Sequence, residues 1–314
     1  MTGSERARIL ENAQTIVVKV CTNVLTNREG ALCPERFRLL AEQLYRMRES
    51  GRQVAVVSSG AVGAGMGRLG MHQRPTDLRH LQACAAIGQS FLMRAYEEQL
   101  QQFNVPTAQI LLTASDFDDR VRYLNMRNTL LSLFEWGCVP IINENDTVSI
   151  DEICFTDNDH LAALVTNLLQ APLMILLSVV DGLYAIDPHG HPEGEPLRVI
   201  PEINSDVLAM AGSTKSGLGK GGMGSKLRSA RLVTQSGEAV ILANGTASGI
   251  LDRIVAGEEV GTLFLPHGGP LSAWKRWLGY TARPKGALMV DIGARHAVQH
   301  SGRSLLPIGI KRIL

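Results

Sequence analysis

Pro140-Ile141-Ile142-Asn143-Glu144-Asn145-Asp146-Thr147-Val148-Ser149-Ile150-Asp151-Glu152-Ile153-Cys154-Phe155-Thr156-Asp157-Asn158-Asp159 is the stretch on which the fold turns. Residues 139–142 predict a short buried strand. Asn143, Glu144, Asn145 and Asp146 then fall at its carboxyl end, where open α/β sheets hold their ligands. Thr156-Asp157-Asn158-Asp159 leads into the apolar run Leu161-Ala162-Ala163-Leu164-Val165, so a second polar knot sits at a helix N-terminus, which offers free backbone N–H groups to an anion. By residue type alone, both knots also read as ordinary Asn/Asp turns and a helix cap.

Outward from this stretch, apolar strands are predicted at residues 15–20, 54–57, 109–113, 173–178 and 239–242. Helical spacing occupies 34–49, 78–103, 122–136, 204–211 and 224–236, and the apolar run from Leu161 makes a further helix. Strands separated by helices at this rhythm imply parallel pairing with helices on both faces. The fold class is therefore α/β, a doubly wound, mainly parallel sheet in an α/β/α sandwich. The texture changes after Phe264, with His267-Gly268-Gly269-Pro270, then Trp274-Lys275-Arg276-Trp277, then a strand-like piece at 287–291. This divides the chain into a polar N-terminal extension (1–14), a main domain (15–266), a linker (267–284) and a small C-terminal segment (285–314).

With 314 residues, 45% of them hydrophobic, and a net charge of +1, the chain has material for a large core and no global field that would attract nucleic acid or a membrane. Trp274-Lys275-Arg276-Trp277 is the one basic and aromatic run. It reads as a linker packing its tryptophans rather than as a surface for single-stranded nucleic acid. The five cysteines are scattered without a Cys-x-x-Cys spacing, which suits a reducing cytoplasm and suggests neither disulfides nor a zinc site. Residues 1–14 lack the apolar run of a signal peptide, and the apolar tract 161–180 is interrupted by Asn167, Gln170 and Pro172, so no membrane span is expected.

Three further constellations bear chemistry. Lys19 ends the first strand and is followed by Cys21, Thr22 and Asn23. A lysine there can neutralise a transferring phosphoryl group, or simply snorkel from a strand end. Ser58-Ser59-Gly60-Ala61-Val62-Gly63-Ala64-Gly65 opens a strand into small residues whose backbone can approach an anion, although Gly-x-x-Gly-x-Gly matches neither the dinucleotide nor the P-loop pattern. Gly217-Leu218-Gly219-Lys220-Gly221-Gly222-Met223-Gly224-Ser225-Lys226 is a glycine-rich loop leading into a helix. Its lysine opposes the helix dipole and so points to an anionic ligand.

Taken in order, Lys19, Ser58-Ser59-Gly60-Ala61, Asn143-Glu144-Asn145-Asp146, Asp157-Asn158-Asp159 and Gly217-Leu218-Gly219-x-Gly221-Gly222-Met223-x-x-Lys226 resemble the amino acid kinase family, and in particular its branch acting on the γ-carboxylate of L-glutamate. The resemblance implies ATP- and Mg2+-dependent phosphorylation of L-glutamate as the first step of proline biosynthesis, proline as a feedback inhibitor, and a homo-oligomer, dimer or tetramer. It further implies that Lys19 and Lys226 neutralise phosphoryl oxygens and that Asp159 holds the two lysines. Ser59, Gly60, Asn143, Asp146 and Asn158 would grip glutamate, with Asp146 facing its ammonium. The nucleotide would meet Lys19, Ser178, Gly219, Gly221, Gly222, Met223 and Lys226, and no protein ligand to a metal is implied. Residues 285–314 resemble the opening of a PUA domain and are too short to close one.

The sequence departs from the family pattern at two positions. Cys21 replaces the glycine of the phosphate-contacting turn, and Val179 follows Ser178 where an aspartate is usual. These departures carry the alternative reading, a kinase-fold module that binds glutamate or proline with little turnover.

Overall fold

The computed structural model describes residues 2–27, 30–149, 158–187, 191–211, 222–267, 273–281 and 286–313. They form two compact units, Met1–Thr281 and Ala282–Leu314. In the first unit, β1 (Thr15–Val20), β2 (Gln53–Ser58), β3 (Thr107–Leu112), β4 (Val139–Glu144), β5 (Leu173–Ser178), β8 (Val199–Ile200), β9 (Ala239–Asn244) and β10 (Thr262–Phe264) make one sheet in the order β3-β4-β2-β1-β5-β9-β10-β8. The six strands from β3 to β9 run parallel, and β10 turns antiparallel to β9. A small hairpin, β6 (Ala185–Ile186) with β7 (Pro192–Glu193), lies outside the sheet.

The helices are α1 (Thr2–Asn12), α2 (Thr22–Leu25), α3 (Pro34–Glu49), α4 (Ala61–Arg68), α5 (Leu78–Leu100), α6 (Ala114–Asp118), α7 (Arg120–Glu135), α8 (Asn158–Leu169), α9 (Ser205–Ala209), α10 (Met223–Gln235), α11 (Ile250–Val255) and α12 (Ala273–Arg276). Strand alternation sorts the two faces. Ile16, Val18, Val20, Val54, Val56, Val139 and Ile141 pack into one core with Phe37, Leu44, Leu92 and Ile254, so α3, α5 and α11 cover that face. Lys19 has the opposite parity, toward the face where α8 crosses β1, β2, β4 and β5. This two-sided burial explains why β1, β2 and β5 read as continuous apolar runs.

The residues read as a polar extension form a helix with a job. Leu10 of α1 enters the core and Arg6, 2% exposed, donates to the carbonyls of Glu258 and, at 3.0 Å, Val260. At the other end of the unit, Trp277 donates its indole N–H to the Phe117 carbonyl at 2.9 Å, and Arg276 forms a buried ion pair with Glu238. The basic and aromatic run is thus used for packing at both residues. The second unit pairs β11 (Leu288–Val290) antiparallel with β12 (Ile310–Ile313) and contains α13 (Ile292–Gln299), capped by Asp291.

Three glycines around α4 and α5 have roles that their geometry fixes. Gly60, at φ +118°, caps α4 in a conformation that L side chains rarely adopt. Gly65 and Gly88 instead bring α4 and α5 into backbone contact, since an added Cβ would stand 1.9 Å from the Cys84 carbonyl oxygen and 1.8 Å from that of Ala61.

Candidate active site

The carboxyl ends of β1, β2 and β4 converge with the N-termini of α8 and α10. Lys19, at the end of β1, is 3% exposed. Its ammonium meets one oxygen of Asp159, the second residue of α8, which is wholly buried. Lys226, from the opening of α10 and 6% exposed, reaches the other oxygen at 3.0 Å. Burial works against the charge on Lys19, but the Cys21 sulfur at 3.0 Å and the Asp159 carboxylate outweigh it and hold the ammonium well above the usual lysine value. Burial also pushes the Asp159 carboxyl upward, and the two lysines override it to keep that group below its ordinary range. Two lysines share one buried carboxylate, so these three side chains by themselves sum to a formal charge of +1.

Beside the triad runs a chain of amides. Asn158 donates from Nδ2 to the Ser58 carbonyl (3.1 Å), Ser59 Oγ (3.0 Å) and Asn143 Oδ1 (2.8 Å). Asn143 also accepts from the Glu144 backbone N–H at 2.9 Å and donates from Nδ2 to Gln89 Oε1 at 2.8 Å. Ser59, Gly60, Asn143 and Asn158 are therefore gathered in one place, and Asp146 lies half-buried in the turn that follows β4. Ser178, 7% exposed, ends β5, and its carbonyl accepts from Gly245 N–H at 2.7 Å. Gly222 caps α10 and Met223 begins it, whereas Gly219 and Gly221 lie outside the described residues.

Both departures from the family pattern have a local explanation. Cys21 has φ −70°, and its N–H is spent on the Leu177 carbonyl at 3.1 Å, so this turn needs no glycine. Its thiol approaches the ammonium of Lys19. Val179 is 46% exposed, and the acid at this end of the sheet is Asp181, two residues on, which accepts from Asn244 Nδ2 at 2.9 Å.

Sequence reading missed Gln89, and also Tyr96, whose hydroxyl bonds Ser58 Oγ at 2.9 Å. The signal for Gln89 was present. It is a glutamine in the stripe Ala85, Gly88, Leu92, Tyr96 that α5 buries, and a buried amide requires partners.

The amino acid kinase family model matches residues 14–244. The chain belongs to the amino acid kinase family. Among its relatives are proteins named glutamate 5-kinase. The one from Geobacter metallireducens is 46% identical over 98% of this chain and 83% of its own length, and that from Rhodopirellula baltica is 45% identical over 98% and 79%. Solved structures share the fold at low identity. A UMP kinase from Bacillus anthracis gives a TM-score of 0.55 at 15% identity, covering 81% of this chain and 96% of that one. A carbamate kinase from Giardia lamblia bound to AMP-PNP gives 0.56 at 18%, covering 82% and 99%. Among the described residues, no helix is long and apolar enough to cross a membrane.

Proposed function

We propose that this chain transfers the γ-phosphoryl group of ATP to the γ-carboxylate of L-glutamate, in the cytoplasm and as the opening step of proline synthesis. Glutamate 5-kinases at 43–46% identity over nearly the whole chain support the reaction. The observation that carries the site assignment is the buried Lys19–Asp159–Lys226 triad at the strand ends. Donor phosphate and acceptor carboxylate are both anionic, so the chain's task is to screen charge and align the two groups. The acceptor is already ionised at neutral pH and needs no base.

In this reading Lys19 and Lys226 neutralise the phosphoryl oxygens, and Asp159 keeps both ammoniums aimed. Ser59, Gly60, Asn143, Asp146 and Asn158 hold glutamate. Ser178, Gly222 and Met223, with Gly219 and Gly221, border the nucleotide. Among the described residues no cluster of three acidic, histidine or cysteine side chains could cage a metal, and Asp159 is already engaged by two lysines. Mg2+ would come carried on the nucleotide, and would supply charge neutralisation of its phosphates beside Lys19 and Lys226. Feedback by proline and a dimeric or tetrameric state belong to the same proposal, as does a PUA-like character for residues 285–314.

Cys21 and Val179 give the low-turnover alternative no structural support, because neither displaces a triad residue. The test is ADP release with Mg-ATP and L-glutamate, with the acyl phosphate trapped by hydroxylamine. Glutamate-dependent turnover is expected. ADP release indifferent to glutamate, or absent, overturns the assignment.

A further inference from the structure

Two backbone groups fix the polarity of the amide chain. The Glu144 N–H can only donate, so Asn143 must present Oδ1 to it, at 2.9 Å, and must turn Nδ2 the other way. The Ser58 carbonyl can only accept, so Asn158 must present Nδ2 to it, at 3.1 Å. Asn143 Nδ2 then has to be matched by an acceptor, and Gln89 supplies Oε1 at 2.8 Å. Gln89 is left with its amide nitrogen facing away from Asn143. That side chain is 9% exposed, and among the described residues its buried Nε2 finds no acceptor. A buried amide donor without a partner is costly, and a site that keeps one is built for a group that arrives with the ligand.

The sheet order says which end of the ligand this is. Lys19 ends β1 and faces the α8 layer, whereas Asn143 continues the alternation of Val139 and Ile141 and faces α5. β2 lies between β1 and β4, so Asn143 stands two strands away from Lys19, roughly 10 Å at the usual strand spacing, and Gln89 reaches Asn143 from α5 on the side away from Asn158. An acceptor whose reacting carboxylate lies at the triad places its other end there. We propose that Gln89 is a further substrate-positioning residue, donating from Nε2 to the non-reacting α-carboxylate of the acceptor amino acid while its carbonyl holds Asn143. This rests on the reading of L-glutamate as acceptor.

The test is calorimetric binding of L-glutamate and of its α-amide to the full chain, for wild type, Gln89→Glu and Gln89→Met, with the KM for Mg-ATP measured alongside. Glutamate at position 89 still accepts from Asn143 but sets carboxylate against carboxylate. L-glutamate should weaken by about tenfold to a hundredfold, the scale of a hydrogen bond to a charged group. The α-amide, which can donate to the new carboxylate, should change by less than about threefold on the same scale, with the KM for ATP unmoved. Gln89→Met, should the acidic variant fail to fold, should lose about tenfold for L-glutamate and distinctly less for the α-amide. Equal losses for both ligands, or wild-type affinity for L-glutamate in Gln89→Glu, would reduce Gln89 to a support for Asn143 and overturn the proposal alone. Wild-type protein that binds neither ligand overturns the functional reading and this proposal with it.

Discussion

Asp159→Asn is the substitution on which the electrostatic argument stands or falls. The native carboxylate is fully buried and bridges two ammoniums. At an effective dielectric constant near 20, one such pair at 3.0 Å is worth about 5 kcal/mol of Coulomb energy. Removing the shared anion leaves two like charges with little solvent, and the loss for breaking a buried pair is about 3–5 kcal/mol. For a unit of this size that corresponds to a fall in Tm of about 5–8 °C. If Lys19 and Lys226 act on the phosphoryl group as proposed, turnover should drop by about two to three orders of magnitude, because both lysines lose their alignment. Differential scanning calorimetry and a coupled ADP assay give the two numbers. The same group sets an acid limit on the native protein. Its folded value lies below the ordinary 3.8, so its contribution is complete above that value and is lost as pH falls through the folded one. A Tm within 2 °C of wild type and kcat within threefold, both far below these expectations, would refute the triad as the charged centre.

Cys21→Gly should leave kcat within about threefold of wild type, since the Cys21 N–H is already spent on the Leu177 carbonyl and φ is already negative; a gain of the size of one restored backbone donor, about tenfold or more, measured under reducing conditions, would restore the view of a crippled turn. Gly88→Ala should lower stability by about 1–3 kcal/mol or more in urea titration, because the new methyl meets the Ala61 carbonyl at 1.8 Å; an unchanged midpoint would refute the close packing of α4 on α5. Glu238→Ala should cost about 3–5 kcal/mol by stranding Arg276, whereas the double change Glu238→Leu with Arg276→Leu should return close to wild-type stability; equal losses in both would refute the ion-pair account.

The parallel sheet was legible because β1, β2, β4, β5 and β9 are buried on both faces and read as unbroken apolar runs. The antiparallel turn of β10 was not, since three residues carry no periodicity. The helix α1 escaped notice because its anchor is Arg6, and a buried arginine that satisfies two distant carbonyls looks in sequence like any surface charge. α4 escaped because Gly63, Gly65 and Gly67 depress helix propensity, and only the contact with α5 offsets this. In the site, Lys19, Asp159 and Lys226 could be named because each stands at the end of a recognisable element. Gln89 could not, because what singles it out is a leftover donor, and that follows from which way two asparagines more than fifty positions away are turned.

The backbone contact between α4 and α5 leaves no side-chain slack between them. Gly60, at the start of α4, and Gln89, next to Gly88 on α5, therefore belong to one stiff plate under the acceptor site. Side-chain interfaces can absorb a tenth of a nanometre by changing rotamers, and at Gly65 and Gly88 this one is backbone against backbone. Any widening on the acceptor side has to carry both helices together. A side chain added at position 65 or 88 would therefore press on backbone and cost stability at the same time as it moved the two helices apart.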